Sequence, residues 1–119
     1  MKARRGDVVI VDYPYSDASG SRVRPALVVQ GDLNNTRLTS TIVAMITKNI
    51  QFAATEPAHL LINIDSPDGK RSGLHVTSAV SFNNLFTVHE QLVLKTIGRL
   101  PPPLMLQVDE CLKAALGIA

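Results

Sequence analysis

Several residue types are scarce in this sequence of 119 residues. It has no tryptophan, two tyrosines and three phenylalanines, so it is poorly supplied for a broad aromatic platform that stacks single-stranded bases. The one cysteine, Cys111, excludes an internal disulfide and any zinc site built from several cysteines. No apolar run approaches the roughly 20 residues that span a membrane, and residues 8–11 are too few for a signal peptide's hydrophobic region. These shortages predict a soluble cytoplasmic protein.

The size and charge of the chain predict one folded domain over residues 1–119. Hydrophobic residues make up 45% and charged residues 18%, a composition that excludes disorder as the main state. Twelve basic residues face ten acidic ones, which gives a formal net charge of +2. That weak basic excess permits a polyanionic partner without requiring one.

Short β-branched segments predict an all-β first part. Strands are expected at residues 8–11, 26–29, 39–47 and 60–64, with weaker signals at 76–82 and 94–98. Residues 8–11 are apolar without alternation, which indicates either burial on both faces or a bulge.

The last segment has the period of a helix. After residues 101–103 (PPP), apolar side chains recur at helical spacing, and Gly117 is placed to end the helix. The stripe consists of Leu104, Val108, Cys111, Leu112 and Ala115. Short strands followed by one helix predict a mainly β (α+β) fold, a small curved antiparallel barrel with a C-terminal helix.

Polar side chains at two strand ends are candidates for chemistry. Arg24 precedes Pro25 at the start of a buried strand, where an extended backbone can hold its guanidinium as a clamp for phosphate or carboxylate. Thr47, Lys48 and Asn49 follow another apolar strand, and such a trio can hydrogen-bond a phosphate. The local pattern is equally typical of a strand-end arginine that reaches water and of an ordinary turn.

Six segments in order along the chain resemble the MazF/PemK (Kid-like) family, the toxins of bacterial type II toxin–antitoxin systems. They are residues 5–9 (RGDVV), 19–22 (SGSR), 24–29 (RPALVV), 46–47 (IT), 72–74 (SGL) and 96–100 (TIGRL). The resemblance implies a small SH3-like or CcdB-like barrel and a homodimer. It also implies a sequence-selective endoribonuclease, an mRNA interferase of the bacterial cytoplasm that inhibits translation by cutting single-stranded RNA.

The resemblance also implies a mechanism and a partner. The RNA's own 2′-hydroxyl attacks the phosphorus without a metal or other cofactor, leaving a 2′,3′-cyclic phosphate and a 5′-hydroxyl. A cognate antitoxin neutralises the toxin with an extended acidic C-terminal segment. The family's catalytic residues fall on Arg24 and Thr47, and the group that transfers the proton is left open among His75, Asp17 and Ser78.

Further polar residues are predicted to position RNA. They are Arg22, Lys48, Asn49, Lys70 and Arg71, which follow or flank the matched motifs, although loop charges are often only solvated. The three histidines lack the spacing of a helical zinc pair, so no metal site is expected. Cys111 lies on the apolar stripe and is interpreted as a core residue.

Two alternatives stay open because the fold alone does not decide function. The first is a gyrase-inhibiting toxin of the CcdB type, disfavoured because this chain lacks the C-terminal tryptophan of those toxins. The second is a degenerate family member that binds RNA or an antitoxin without cutting.

Overall fold

The computed structural model describes residues 3–13 and 23–119, which form a six-stranded antiparallel sheet and three α-helices. The strands are β1 (Asp7–Asp12), β2 (Val23–Val28), β3 (Ser40–Thr47), β4 (His59–Ile62), β5 (Ser78–His89) and β6 (Val93–Arg99). The helices are α1 (Asp32–Arg37), α2 (Pro67–Lys70) and α3 (Pro102–Leu116), and a 3-10 turn, Glu90–Leu92, joins β5 to β6. The polar segment predicted between the first two strands falls within residues 14–22 and lies outside the described residues.

The strands lie in the order β4-β5-β3-β2-β1-β6, and every neighbouring pair is antiparallel. This confirms the predicted mainly antiparallel fold with a C-terminal helix. Within residues 3–13 and 23–119, β4 and β6 remain edges of the sheet, so the expected barrel is a curved sheet that does not close.

A bulge in β5 allows side chains of this strand to pack in two different hydrophobic clusters. The neighbouring residues Met45 and Ala44 of β3 lie opposite Ser81 and Leu85 of β5, so residues 82–84 stand outside the β3–β5 ladder. Such insertions bend a strand and increase its twist. Phe82 and Val88 would share a face in a regular strand, yet they pack in different clusters.

Both faces of the central strands are buried. The first cluster joins Val8, Leu27 and Phe82 to helix α3, and the second contains Val9 and Val11. The structure therefore confirms the two-sided burial expected for residues 8–11, and the β1–β6 ladder also contains two irregularities.

Helix α3 follows the predicted stripe. Val108 and Cys111 are buried, and Leu104, Leu112 and Ala115 pack against the first cluster. Gly117 ends the helix in the left-handed conformation, with φ 69°, as predicted from its position. No helix in the described ranges is long and apolar enough to cross a membrane.

Some element boundaries differ from the sequence prediction. Strand β4 ends at Ile62, before the predicted residue 64, because the Asn63 side chain accepts a hydrogen bond from the Asp65 amide and starts a turn. Helix α1 was not predicted. It is held by tertiary contacts, since the buried Asn35 exchanges hydrogen bonds with Gln30.

The N-terminal RGD motif anchors several elements. The Arg5 guanidinium forms an ion pair with Asp109 of α3 at 2.7 Å, and its amide donates to Asp32 of α1 at 2.7 Å. That amide hydrogen bond is the main reason why the pKa of Asp32 lies below its usual value. Asp7 in turn accepts from Arg99 of β6 at 2.7 Å. The motif therefore holds the fold together at a distance from the polar strand ends.

Candidate active site

A cavity of about 640 Å³ opens at the end of the sheet where β2 begins and β3 ends. Most of its lining is apolar. The apolar residues are Ile10, Val23, Pro25, Met45, Ile46, Leu74, Val76 and Ile97, and the polar residues are Arg24, Thr47, Lys48, His75 and Ser78. The cavity therefore gathers both predicted catalytic residues.

Pro25 explains why the sheet opens here. Proline has no amide hydrogen to donate to a strand ladder. Pro25 still lies opposite Ile10 of β1, but the pairing of β2 with β3 stops at Ala26, which lies opposite Met45. The ends of β2 and β3 beyond that pair are left to line the cavity.

Arg24 and Thr47 occupy equivalent places on the two strands. Each lies two residues beyond the Ala26–Met45 pair, along antiparallel strands. Side chains two apart on a strand point to the same face. The strand geometry therefore directs the Arg24 guanidinium and the Thr47 hydroxyl to one side of the sheet at the cavity.

Arg24 is held by backbone contacts. It lies opposite Val11 in the β1–β2 ladder, is partly buried, and donates from Nη1 to the Val23 carbonyl oxygen at 3.0 Å. A guanidinium carries five N–H groups in a planar fork. Arg24 thus brings a fixed positive charge to the cavity wall.

Tyr13 lies near the Arg24 charge. Burial raises the pKa of Tyr13 to about 12, and the positive charge of Arg24 opposes that rise. The ring packs edge-on against Phe86, with centroids 5.4 Å apart. The buried Tyr13 hydroxyl has no hydrogen-bond partner in the described part of the chain. At neutral pH this residue is a neutral phenol.

Thr47 is oriented by the turn that follows it. Its Oγ1 accepts a hydrogen bond from the Asn49 amide at 3.1 Å, and the Asn49 side chain accepts from the Gln51 amide at 3.0 Å. A hydroxyl has one hydrogen to donate in addition to its acceptor lone pairs. With a lone pair of Thr47 occupied by Asn49, its hydrogen is available to an oxygen in the cavity.

Two glycines bring the SGL motif to the cavity wall. A side chain on Gly73 would overlap the Ile97 carbonyl oxygen, and one on Gly98 would overlap the Ser72 carbonyl group. The backbones of residues 71–73 and 97–99 can therefore touch only because both residues are glycine. This contact puts Leu74 and His75 beside Ile97 in the lining.

The remaining predicted residues separate into three groups. Lys48 and Ser78 line the cavity, and the Ser78 hydroxyl donates to the Val76 carbonyl oxygen at 2.9 Å. The cavity lining does not include Asn49, Lys70 or Arg71, which were predicted to bind RNA. Two other predicted residues, Asp17 and Arg22, lie outside the described residues.

The cysteine is placed as expected. Cys111 is buried on α3, and its thiol donates to the His59 carbonyl oxygen at 3.5 Å. Burial raises the pKa of the Cys111 thiol, which keeps it protonated and poorly nucleophilic. Across residues 3–13 and 23–119, no three His, Cys, Asp or Glu side chains come together as a group able to hold a metal ion.

Sequence reasoning missed the apolar part of the site. Leu74 and Ile97 belong to motifs that carry the resemblance, and Ile10 belongs to a predicted strand, but no local pattern shows that these side chains meet. It also missed that the Asn49 backbone, rather than its side chain, orients Thr47.

Fold and cavity together define a small curved β-sheet domain with a C-terminal helix and a cationic site at one end of the sheet. The family model of the PemK-like, MazF-like toxins of type II toxin–antitoxin systems matches residues 4–116, and the chain belongs to this family.

Similar proteins agree with this assignment. The chain is 34% identical over 119 residues to endoribonuclease EndoA of Bacillus subtilis, a match covering 99% of this chain and 97% of that protein. It is 29% identical over 116 residues to endoribonuclease MazF of Staphylococcus epidermidis, covering 97% and 92% of the two chains. A solved mycobacterial endoribonuclease in complex with its cognate antitoxin has the same fold, with a TM-score of 0.76, 20% identity, and 98% and 97% of the two chains covered.

Proposed function

We propose that this protein is a sequence-selective endoribonuclease toxin that cuts single-stranded mRNA and thereby stops translation. Its membership of the toxin family supports this function, as do the endoribonucleases to which it is similar over almost its whole length. The proposed nucleophile is the 2′-hydroxyl of the RNA itself, and, as the family resemblance implies, the proposed reaction uses no metal or other cofactor. This function is favoured over gyrase inhibition, because endoribonuclease EndoA of Bacillus subtilis and endoribonuclease MazF of Staphylococcus epidermidis are both named as endoribonucleases.

One observation carries the assignment to this site: Arg24 and Thr47 line the same cavity. When the 2′-oxygen attacks, negative charge grows on the non-bridging oxygens of a five-coordinate phosphorus. Arg24 supplies a fixed positive charge and several donors where that charge develops, and Thr47 donates its hydroxyl to the same phosphoryl group. The bond from phosphorus to the 5′-oxygen then breaks, which leaves the cyclic phosphate.

The reaction also needs a group that takes the 2′-hydroxyl proton and one that returns a proton to the 5′-oxygen. Histidine side chains titrate near neutral pH, as a general acid or base should. His75 lines the cavity together with Arg24, so it is the proposed proton-transfer residue. Ser78 also lines the cavity, but its hydroxyl hydrogen is used by the Val76 carbonyl group. Asp17 stays a candidate on the sequence alone.

The RNA is positioned by basic side chains around the cavity. Lys48 is exposed at the end of β3 and contacts a phosphate beside the scissile one. Lys70 and Arg71, exposed at the end of α2, contact RNA beyond the cavity. Arg22 and Asn49 complete the set predicted from the sequence.

The proposed assembly follows the family. The protein acts in the bacterial cytoplasm as a homodimer, with RNA bound along the groove between protomers. A cognate antitoxin covers that groove with an extended, acidic C-terminal segment. The solved relative in complex with its cognate antitoxin supports such a partner.

A cleavage assay with two substrates tests the function. Purified protein is incubated in EDTA with a single-stranded RNA that it cuts, and with the same RNA carrying a deoxyribose at the cleavage position. We expect cleavage of the first substrate only, because the second lacks the nucleophile. Cleavage of both would refute attack by the 2′-hydroxyl, and cleavage of no RNA would indicate a binding module.

The site assignment is tested by Arg24→Ala. Loss of one oriented donor of this kind costs on the order of 10²–10³ in rate, and the variant should remain folded. Arg37→Ala is the matched control, because Arg37 lies on α1 outside the cavity and donates a hydrogen bond to the Asn34 side chain of the same helix. An Arg24→Ala protein as active as the Arg37→Ala control would refute the role of Arg24.

A further inference from the structure

The cavity at the ends of β2 and β3 contains an apolar part, which we call the apolar cleft. It is formed by Ile10, Pro25, Leu74 and Ile97, which line the cavity and are only partly buried. Ile10 and Pro25 lie directly opposite each other in the β1–β2 ladder, so their side chains share a face of the sheet. Leu74 follows Gly73, whose backbone touches that of Ile97. Four separate segments of the chain therefore leave apolar surface uncovered in one cavity.

Ile97 contributes to the apolar cleft from a bulge in β6. Val9 lies opposite Thr96 and Val8 lies opposite Gly98, so Ile97 has no opposing residue in the β1–β6 ladder. An extra residue of this kind bends the strand and is a feature that redirects side chains next to functional sites. The bulge therefore gives a structural reason why an apolar side chain of an edge strand lines the cavity.

The apolar cleft and the proposed catalytic residues belong to one cavity. Arg24 is followed by Pro25, Thr47 is preceded by Ile46, and all four residues line the cavity. Consecutive side chains of a strand point to opposite faces of the sheet. The cavity therefore extends around the ends of β2 and β3, and a ligand can contact Arg24 and Thr47 with one group and the apolar cleft with an adjoining group.

The lining suits a ligand that is anionic in one part and apolar in another. Arg24 and Lys48 bring positive charge, and no acidic side chain from residues 3–13 or 23–119 lines the cavity. The side chains of the apolar cleft offer no hydrogen-bond donor or acceptor, so a phosphate there would lose water without a compensating partner. A nucleobase has an apolar face that such a cleft can contact. A nucleotide joins the two parts, since one ribose links its phosphate to its base.

We propose that the apolar cleft holds the base of a nucleotide next to the scissile phosphate, while Arg24 and Thr47 bind that phosphate. This inference rests on the proposed endoribonuclease function and names the base-binding part of the same site. The bases of single-stranded RNA can be splayed out, so little pairing energy opposes their insertion. Contact with the faces of one base fixes the RNA backbone at the strand ends, where the phosphate is attacked.

Binding of RNAs that lack one base tests the proposal. Every probe carries a deoxyribose at the cleavage position, so that it is bound without being cut. One set of probes also carries an abasic residue at a single position on either side of the cleavage position. We expect one of these abasic positions to lower the affinity of the wild type about fivefold or more, as the loss of a base contact does.

Ile97→Ala links that loss to the apolar cleft. The substitution removes three carbons, and one buried methylene is worth about fourfold in affinity. If one or two of these carbons contact the base, the preference for intact over abasic RNA should fall about 4- to 15-fold. Leu74→Ala should lower the same preference from the opposite wall. Ile97→Val removes a single carbon, which preserves most of the packing, and should lower the preference about two- to fourfold.

Leu94→Ala is the matched control. Leu94 also stands outside the β1–β6 ladder, because its neighbours Val93 and Lys95 pair with Val11 and Ile10. Its side chain is 54% exposed and does not line the cavity. The variant should therefore keep the wild-type preference for intact RNA. Urea unfolding of each variant shows that the proteins compared are folded.

The outcomes separate the two proposals. A wild type that neither cuts nor binds RNA refutes the proposed function and this inference with it. A wild type that cuts RNA but binds every abasic probe as tightly as the intact one refutes the base contact alone. A preference that folded Ile97→Ala and Leu74→Ala proteins retain also refutes it, even if they bind an acidic peptide less tightly. An equal fall of the preference in Leu94→Ala would show a general effect of β6 and likewise refute it.

Discussion

Replacing Gly73 with alanine tests how the cavity wall is built. Gly73 has φ 75°, a left-handed conformation that costs a non-glycine residue about 1–2 kcal/mol. The new Cβ would also overlap the Ile97 carbonyl oxygen and lie 2.6 Å from its carbonyl carbon, where ordinary contacts begin at 3.4 Å. The obstacle is the backbone of strand β6 between Thr96 and Gly98, which both pair with β1, so it cannot rotate away as a side chain could.

The structure gives a magnitude for this substitution. Overpacking against a well-packed region costs about 1–3 kcal/mol. With the backbone conformation included, Gly73→Ala should lower the free energy of unfolding by about 2–5 kcal/mol. For a domain of this size that is a decrease in Tm of about 4 °C for each kcal/mol.

Gly117→Ala is the matched control for the backbone contribution. Gly117 has φ 69°, but a Cβ there would meet nothing within 4 Å. It should therefore show the conformational cost of about 1–2 kcal/mol without the steric cost. Urea unfolding of both variants measures the difference. Equal losses of stability would refute the contact between residues 71–73 and 97–99.

The same variant tests the link between this wall and activity. Leu74 and His75 follow Gly73 directly and line the cavity. If the steric conflict moves this segment, RNA cleavage by Gly73→Ala should fall at a temperature where the protein is still folded. Gly117→Ala should cut at the wild-type rate. Wild-type cleavage by a folded Gly73→Ala protein would show that the position of this segment does not matter for the reaction.

Two other substitutions concern titrating groups. His75→Ala should reduce cleavage about 10²–10⁴-fold and remove one limb of the pH–rate profile, and a near-wild-type rate would exclude His75 from proton transfer. The pKa of Tyr13 is about 12 in the folded state, above its unfolded value near 10. The contribution of the neutral Tyr13 phenol to the free energy of unfolding is fully present below pH 10. Between pH 10 and pH 12 it decreases by about 1.4 kcal/mol per pH unit. Tyr13→Phe should lose less stability over this range in urea unfolding, and equal alkaline losses would contradict the burial of the phenol.

The Tyr13 hydroxyl and the wall glycines share a physical feature. In each case a neighbouring segment of the chain sets the environment: Arg24 and Phe86 around the phenol, and the Ile97 backbone around Gly73. Substitutions at these positions therefore report on contacts between segments that are distant in sequence.

The amino-acid sequence alone determined most of the local structure. Residues 8–11 are β-branched and apolar without alternation, and they form a strand buried on both faces. The stripe through Val108 and Cys111, with Gly117 behind it, predicted α3 and its end. These predictions succeeded because strand and helix periodicity depend on neighbouring residues. The sequence also predicted Arg24 and Thr47 as catalytic residues, through motifs that resemble a known family, and the structure brings both to one cavity.

Only the tertiary structure decided how these parts meet. The open edges of the sheet, the bulge that separates Phe82 from Val88, and the exchange of hydrogen bonds that holds α1 depend on long-range pairing. The same is true of the largely apolar cavity beside Arg24, whose walls come from separate segments of the chain. The physical reason is that ladder register and backbone contacts are set by packing between distant residues, which local periodicity does not encode.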